Sequence, residues 1–217
     1  MVDNRSFTFQ KILSKIFADL VNKILVVYLV DILIFSKTLD AHMDHLKIVL
    51  SRLFVLGFRI NWRKCNFLKN KIIFLGFELE NNKMRLGQAQ RDKFKEISIP
   101  RNHKEVRSYL GSCTFVVRFI RDYTKLILPF QILLSKKHFE ITEIEEKAFK
   151  NINEAIINSR ELTIPDQSKQ FYLFTDASNI IIAGVLCQVD DENNMCAITW
   201  ICHKLKPCEI NYAIREK

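Results

Sequence analysis

The sequence predicts an α+β protein on three observations: an amphipathic stretch leading into an apolar hairpin, a mainly helical middle between Pro100 and Pro165, and a return to strand composition from Phe171. Residues 7 to 21 set Phe9, Ile12, Leu13, Ile16, Phe17 and Leu20 at intervals of three and four, which puts them on one helical face suited to lying on a sheet. Residues 24 to 35, Ile-Leu-Val-Val-Tyr-Leu-Val-Asp-Ile-Leu-Ile-Phe, are β-branched and aromatic with one charge, and predict a buried hairpin with Asp31 near its turn. Asp40 is placed to cap a helix over 41 to 56, and Gly57 to end it.

Residues 58 to 80 read as short strands, with Ile72 to Leu79 the strongest hairpin. Pro100 marks a change of composition, after which Asn102-His103-Lys104-Glu105 resembles a capping box opening a long helix through about residue 120. Thr142-Glu143-Ile144-Glu145 repeats that signature before a helix at 145 to 158. Strands follow at 171 to 175, 180 to 189 and 197 to 203, with Asp190 to Asn194 a polar turn, and three consecutive antiparallel strands are the simplest arrangement. A further helix begins near Glu209.

A hydrophobic content of 48% supports a packed core rather than disorder. Lys and Arg outnumber Asp and Glu by 33 to 24, and the resulting net charge of +9 suits a polyanionic partner without specifying one. Six scattered cysteines, with no C-x-x-C pair, read as reduced intracellular thiols. Charged residues through the first turns of the chain, and no later uncharged apolar stretch of about 18 residues, argue against secretion and membrane spanning. A cytoplasmic or nuclear location is the expectation.

Asp31 is the first candidate for chemistry. A carboxylate inside an apolar hairpin either satisfies turn amides or binds metal, because a buried unpaired charge is costly. Two-metal phosphoryl transfer needs several carboxylates converging on ions about 4 Å apart, so one Asp alone makes no such site. His42 and His45 lie three apart with no Cys or carboxylate to complete a ligand set, and read as a solvated helix face. Lys104, Arg107, Arg118 and Arg121 are either phosphate contacts or the basic solvent side of an ordinary amphipathic helix. Thr175-Asp176-Ala177-Ser178 alone is a strand running into a turn.

Phe7-Thr8-Phe9-Gln10, followed by Val26-Val27-Tyr28-Leu29-Val30-Asp31-Ile32-Leu33-Ile34-Phe35-Ser36, resembles the palm of Ty3/gypsy-type retrotransposon reverse transcriptases, whose motif here is Tyr-x-Asp-Asp. The likeness continues through Lys37 to His42, His45-Leu46, Asn61, Lys64-Cys65 and Phe74-Leu75-Gly76-Phe77, the last resembling the family's primer-grip hairpin. Lys104 to Gly111, Arg118-Phe119-Ile120, Pro129 and Leu133-Leu134 resemble the helical thumb. Phe174 to Ser178, Gly184-Val185-Leu186 and Ile198-Thr199-Trp200 resemble the opening of the retroelement ribonuclease H domain, and Asn211-Tyr212 and Glu216-Lys217 its next helix.

The resemblance implies a partial palm over 1 to 82 without fingers, a mainly helical thumb and connection over 83 to 165, and a truncated ribonuclease H-like mixed sheet over 166 to 217. It implies Mg²⁺ as cofactor, with Asp31 and Asp176 as metal carboxylates in incomplete sites, because Val30 stands where the family has its first Asp and the nuclease Glu expected after Lys217 is absent. Tyr28, Phe74, Leu75, Gly76, Lys104, Arg107, Gly111 and Arg118 would then face a primer–template or RNA–DNA hybrid. The family function is RNA-directed DNA synthesis coupled to hydrolysis of RNA in hybrids. This chain is expected to be catalytically inactive; the alternative is a non-catalytic hybrid-binding module.

Overall fold

The computed structural model describes residues 4 to 210 and Tyr212, and the chain divides after Phe67 into two compact units. In the first unit the apolar stripe forms α1 (Asn4–Ile16), which ends earlier than the predicted 7 to 21 and passes into turns. Asn22 adopts a left-handed φ of 63° beyond those turns, just before the hairpin. The hairpin is β1 (Leu25–Tyr28) paired antiparallel with β2 (Asp31–Ile34), followed by α2 (Leu39–Val55). Leu13, Phe17, Leu25, Val49 and Leu53 form its buried core.

Gly57 ends α2 as the sequence predicts. At φ 75° it lets its own N–H reach Phe54 O and the N–H of Phe58 reach Leu53 O, both at 3.0 Å, the double bond of a Schellman cap. The N-cap is Thr38 rather than Asp40, with Thr38 Oγ1 accepting from Ala41 N at 3.3 Å. Arg52 anchors the other side of the core. It donates to both Asp19 carboxylate oxygens at 2.6 and 3.0 Å and to Ile16 O at 2.8 Å, and holds the Asp19 carboxyl below its ordinary range. Residues 58 to 70 form no strands; they run as irregular chain with one 3₁₀ turn at Trp62–Lys64.

The second unit opens with β3 (Lys71–Phe74), β4 (Phe77–Glu80) and β5 (Lys83–Leu86), an antiparallel meander. The helices α3 (Gln88–Glu96), α4 (His103–Val116), α5 (Tyr123–Ser135) and α6 (Glu143–Ile157) follow, and β6 (Leu162–Thr163) returns to pair with β5. The capping box predicted at Thr142 forms; at Asn102 only the cap itself does, because the Glu105 carboxylate accepts from Arg101 N and Asn102 Nδ2 and not from the Asn102 backbone. Asn102 Oδ1 accepts from Glu105 N at 2.9 Å, and the Glu145 carboxylate accepts from Thr142 N at 2.9 Å. The single long helix expected to residue 120 instead passes into a 3₁₀ turn at Val117–Phe119. Asp122, at φ 57°, then redirects the chain into α5.

Phe130, Leu133, Val106, Val116, Cys113 and Ile152 fill the core between these helices, where Tyr109 donates to Asn153 Oδ1 at 2.9 Å. Burial raises the Cys113 thiol to about 12, which makes it a packing group and not a nucleophile.

The third sheet, β7 (Tyr172–Ala177), β8 (Ile181–Val189) and β9 (Met195–Lys204), has the predicted consecutive antiparallel order. It is tied to the helices. Buried Gln188 accepts from Asp166 N at 2.9 Å and donates to Asp166 O and Lys169 O at 2.7 and 3.2 Å, fixing the segment that leads from β6. Thr124 Oγ1 donates to Cys202 O at 3.2 Å, and the Arg121 guanidinium lies 5.7 Å from the Trp200 ring centre. The predicted helix at Glu209 begins as α7 (Pro207–Ile210), and its continuation over Glu216-Lys217 lies outside the described residues. Among the described residues no helix is long and apolar enough to cross a membrane.

One close approach is exposed to test. Gly87 N donates to Gly76 O at 3.0 Å, and a Cβ on Gly87 would stand 2.7 Å from that oxygen. Backbone cannot swing aside as a side chain can, so Gly87→Ala is expected to lower unfolding free energy by about 1–3 kcal/mol in urea denaturation. An unchanged midpoint would show that the turn moves freely.

Candidate nucleic-acid interface

At the tip of the first hairpin Tyr28 pairs with Asp31 across the two-residue turn Leu29-Val30. Leu29 has a left-handed φ of 51°, the conformation that tight hairpins demand and a bulky side chain resists. Val30 is 60% exposed, Tyr28 is 46% exposed, and the Asp31 side chain is exposed with no hydrogen bond or ion pair among the described residues. This corrects the buried hairpin with Asp31 satisfying turn amides. Among the described residues this sheet has two strands, its tip is exposed to solvent, and backbone pairing closes the turn.

His42 and His45 also depart from the solvated face. Both are half-buried, and Ser36 Oγ lies 3.1 Å from His42 Nδ1 and 2.7 Å from His45 Nδ1. His45 Nδ1 is also 3.3 Å from Phe35 O. The pair fastens the start of α2 to the end of β2 and holds no metal-ligand geometry.

The β3–β4 turn is Leu75-Gly76, with φ values of 53° and 81° that give the right-handed twist of a two-residue hairpin. Phe74 is half-buried and pairs with Phe77, and the Phe77 ring stacks on Phe115 of α4 at 4.8 Å and 13°, and leans on Phe119 at 5.5 Å. That stack fixes the turn beside α4, a link the sequence hid because it joins residues far apart in the chain. The i, i+4 spacing of Phe115 and Phe119 was its only local trace.

Along α4, Val106, Tyr109, Cys113 and Val116 face inward, while Lys104, Arg107 and Gly111 share the exposed side. Arg118 is exposed in the 3₁₀ turn that follows. Nothing lies within 4 Å of where a Gly111 side chain would begin, so this is a low, open stretch of surface. Lys104, Arg107 and Arg118 have no acidic partner among the described residues. Arg121 does not join them; it faces Trp200 and lies 3.6 Å from the Asp122 carboxylate.

Asp176 sits near the end of β7 opposite Ala183, exposed and without a partner among the described residues. The turn beyond it is held by Ser178, whose Oγ accepts from Ile181 N and whose N–H donates to Ile181 O. Among the described residues no three His, Cys, Asp or Glu side chains gather as a metal site. The Mg²⁺ that the resemblance implies would find, among the described residues, one carboxylate at the hairpin and one on β7. The residues present do not fit a two-metal centre.

The β3–β4 turn, the aromatic stack and the basic stripe lie together in the second unit. The family described as reverse transcriptase (RNA-dependent DNA polymerase) matches residues 4–79, and the RNase H-like domain found in reverse transcriptase matches residues 141–217. The chain is 30% identical over 210 residues to the Transposon Tf2-3 polyprotein of Schizosaccharomyces pombe, covering 96% of this chain and 16% of that protein. It is 32% identical over 216 residues to the retrovirus-related Pol polyprotein from transposon 297 of Drosophila melanogaster, covering 99% of this chain and 20% of that one. The foamy viral protease-reverse transcriptase in complex with double-stranded DNA has the same fold, with a TM-score of 0.83 at 22% identity over 98% of this chain and 37% of that one. The complex of that viral enzyme with RNA/DNA hybrid gives 0.80 at 22% identity, over 95% and 28%.

The chain belongs to the Ty3/gypsy-type retrotransposon Pol polyproteins, in their reverse transcriptase and ribonuclease H-like region. It spans no more than 20% of the length of these relatives.

Proposed function

We propose that this chain is the primer–template-holding part of a retrotransposon RNA-directed DNA polymerase and ribonuclease H, and that it holds RNA–DNA hybrid without polymerising. The observation that carries the reading is the stripe of Lys104, Arg107 and Arg118, free of acidic partners among the described residues, with the stacked β3–β4 turn beside α4. Cations with no internal partner neutralise phosphates and release counterions, which positions a duplex without reading its sequence. Gly111 leaves room for a backbone to approach, and Phe74, Leu75 and Gly76 present the turn to the primer strand, with Tyr28 and Asp31 belonging to the polymerase hairpin. The functional parts run over 1–82, 83–165 and 166–217, as palm, thumb with connection, and ribonuclease H-like sheet.

Fluorescence anisotropy with a labelled RNA–DNA hybrid across a salt series tests this. Affinity is expected to fall linearly on a log–log plot, and Arg107→Ala and Arg118→Ala each to reduce the slope by about one. No binding at low salt, or slopes unchanged in both variants, would remove the basic stripe from the interface.

A further inference from the structure

We propose that residues Arg59 to Phe67 form a second nucleic-acid site, separate from the basic stripe of α4, which takes single-stranded nucleic acid by stacking an unpaired base on Trp62. The sequence has no acidic residue between Asp44 and Glu78, and the segment from Gly57 to Phe67 carries Arg59, Arg63 and Lys64. All three side chains are exposed and have no ion pair or hydrogen-bond partner among the described residues. Arg52, by contrast, is engaged by Asp19, and Arg85 by Glu78 and Glu80. A run of unengaged positive charge suits a polyanion.

The aromatic residues narrow the class of polyanion. Trp62 is 61% exposed, and its ring lies 6.2 Å from that of Phe67, tilted by 32°, with Phe67 itself 38% exposed. The segment is braced from within. Lys64 N donates to Asn61 O at 3.0 Å, Cys65 N to Trp62 O at 3.2 Å, and the Cys65 thiol to Asn61 O at 3.4 Å. The backbone is thus ordered as a 3₁₀ turn while the Trp62 side chain stands in a shallow depression with Arg59, Ile60, Asn61 and Arg63. An exposed indole flanked by arginines is a stacking platform beside phosphate contacts.

A duplex hides its base faces inside its own stack, so a ring can meet a base only where the strand is unpaired. The charges alone would accept any nucleic acid. The indole selects the single strand. Trp200, the chain's other tryptophan, has the Arg121 guanidinium 5.7 Å from its ring centre, so one of the two indoles is already engaged.

The test uses the whole chain and a fluorescein-labelled twelve-residue oligothymidylate beside a blunt RNA–DNA hybrid, at low salt. Trp62→Ala is expected to weaken oligothymidylate binding on the order of tenfold, the usual effect of losing one base–aromatic stack, and to change hybrid affinity by less than about twofold. Trp62→Phe is expected to retain most of the single-strand affinity. Unlabelled oligothymidylate should also quench the indole emission of the Trp200→Phe variant, in which Trp62 is the sole tryptophan. Equal losses for strand and hybrid, an unaltered oligothymidylate affinity in Trp62→Ala, or no quenching at saturation would each overturn the site. Failure of the α4 stripe would appear instead as hybrid affinity indifferent to Arg107 and Arg118.

Discussion

Primer extension on an RNA template with Mg²⁺ is expected to stay below detection with this chain, and the hairpin supplies the reason. Two-metal phosphoryl transfer draws on carboxylates that bridge both ions, and at the hairpin tip Asp31 offers oxygen while the neighbouring Val30 offers only methyl groups. Loss of one preorganised charged group costs roughly 10²–10³ in turnover, before any second-ion affinity is lost with it. Val30→Asp isolates the cause. Position 30 is 60% exposed in a turn, so a carboxylate is tolerated there, and the variant gains a second acidic group adjoining Asp31. Paramagnetic broadening by Mn²⁺ is expected at the hairpin of the variant at concentrations that leave the parent unchanged, because oxygen-ligand charge sets affinity for hard cations. Extension by the parent at a measurable rate would show that Val30 is not the break proposed here.

How much of this was legible in the sequence depended on the range of the interaction. Local rules held. Gly57 as a left-handed stop, the Asn102 cap and the Thr142 capping box each involve partners within five residues, and each formed. Burial was misjudged at Asp31 because an apolar strand pattern does not reveal how many faces will be covered, and α1 and α2 leave the tip open. The His42–Ser36–His45 bridge leaves no trace in the helical spacing because Ser36 lies outside that helix. The break after Val116 was invisible since apolar spacing continues through Phe119 and Ile120 while the backbone tightens and Asp122 turns it. The pairing of β6 with β5 joins Met84 to Leu162, and no local pattern encodes a partner that distant. Of the candidate site, the basic residues were legible as a helix stripe. Their placement beside the Leu75-Gly76 turn required the Phe77–Phe115 stack.

Phe130→Ala is expected to lower the unfolding free energy by about 3–5 kcal/mol, a large share of the roughly 5–15 kcal/mol that holds a domain together. Phe130 is fully buried at the centre of the helical core, and its ring meets Tyr109 edge to face at 5.6 Å. Truncation removes both the apolar transfer term and the aromatic contact, and the vacated space is walled by Leu133, Val106 and other core residues on separate helices that close only in part. Tyr109→Phe provides the calibration. It keeps the ring and strips only the hydroxyl that donates to Asn153 Oδ1, leaving that buried amide short of a donor at a cost of about 1–3 kcal/mol. Urea unfolding followed by far-ultraviolet circular dichroism separates the two. A Phe130→Ala loss no greater than that of Tyr109→Phe would mean that the buried hydrogen bond, and not the aromatic packing, holds the helices that carry the basic stripe.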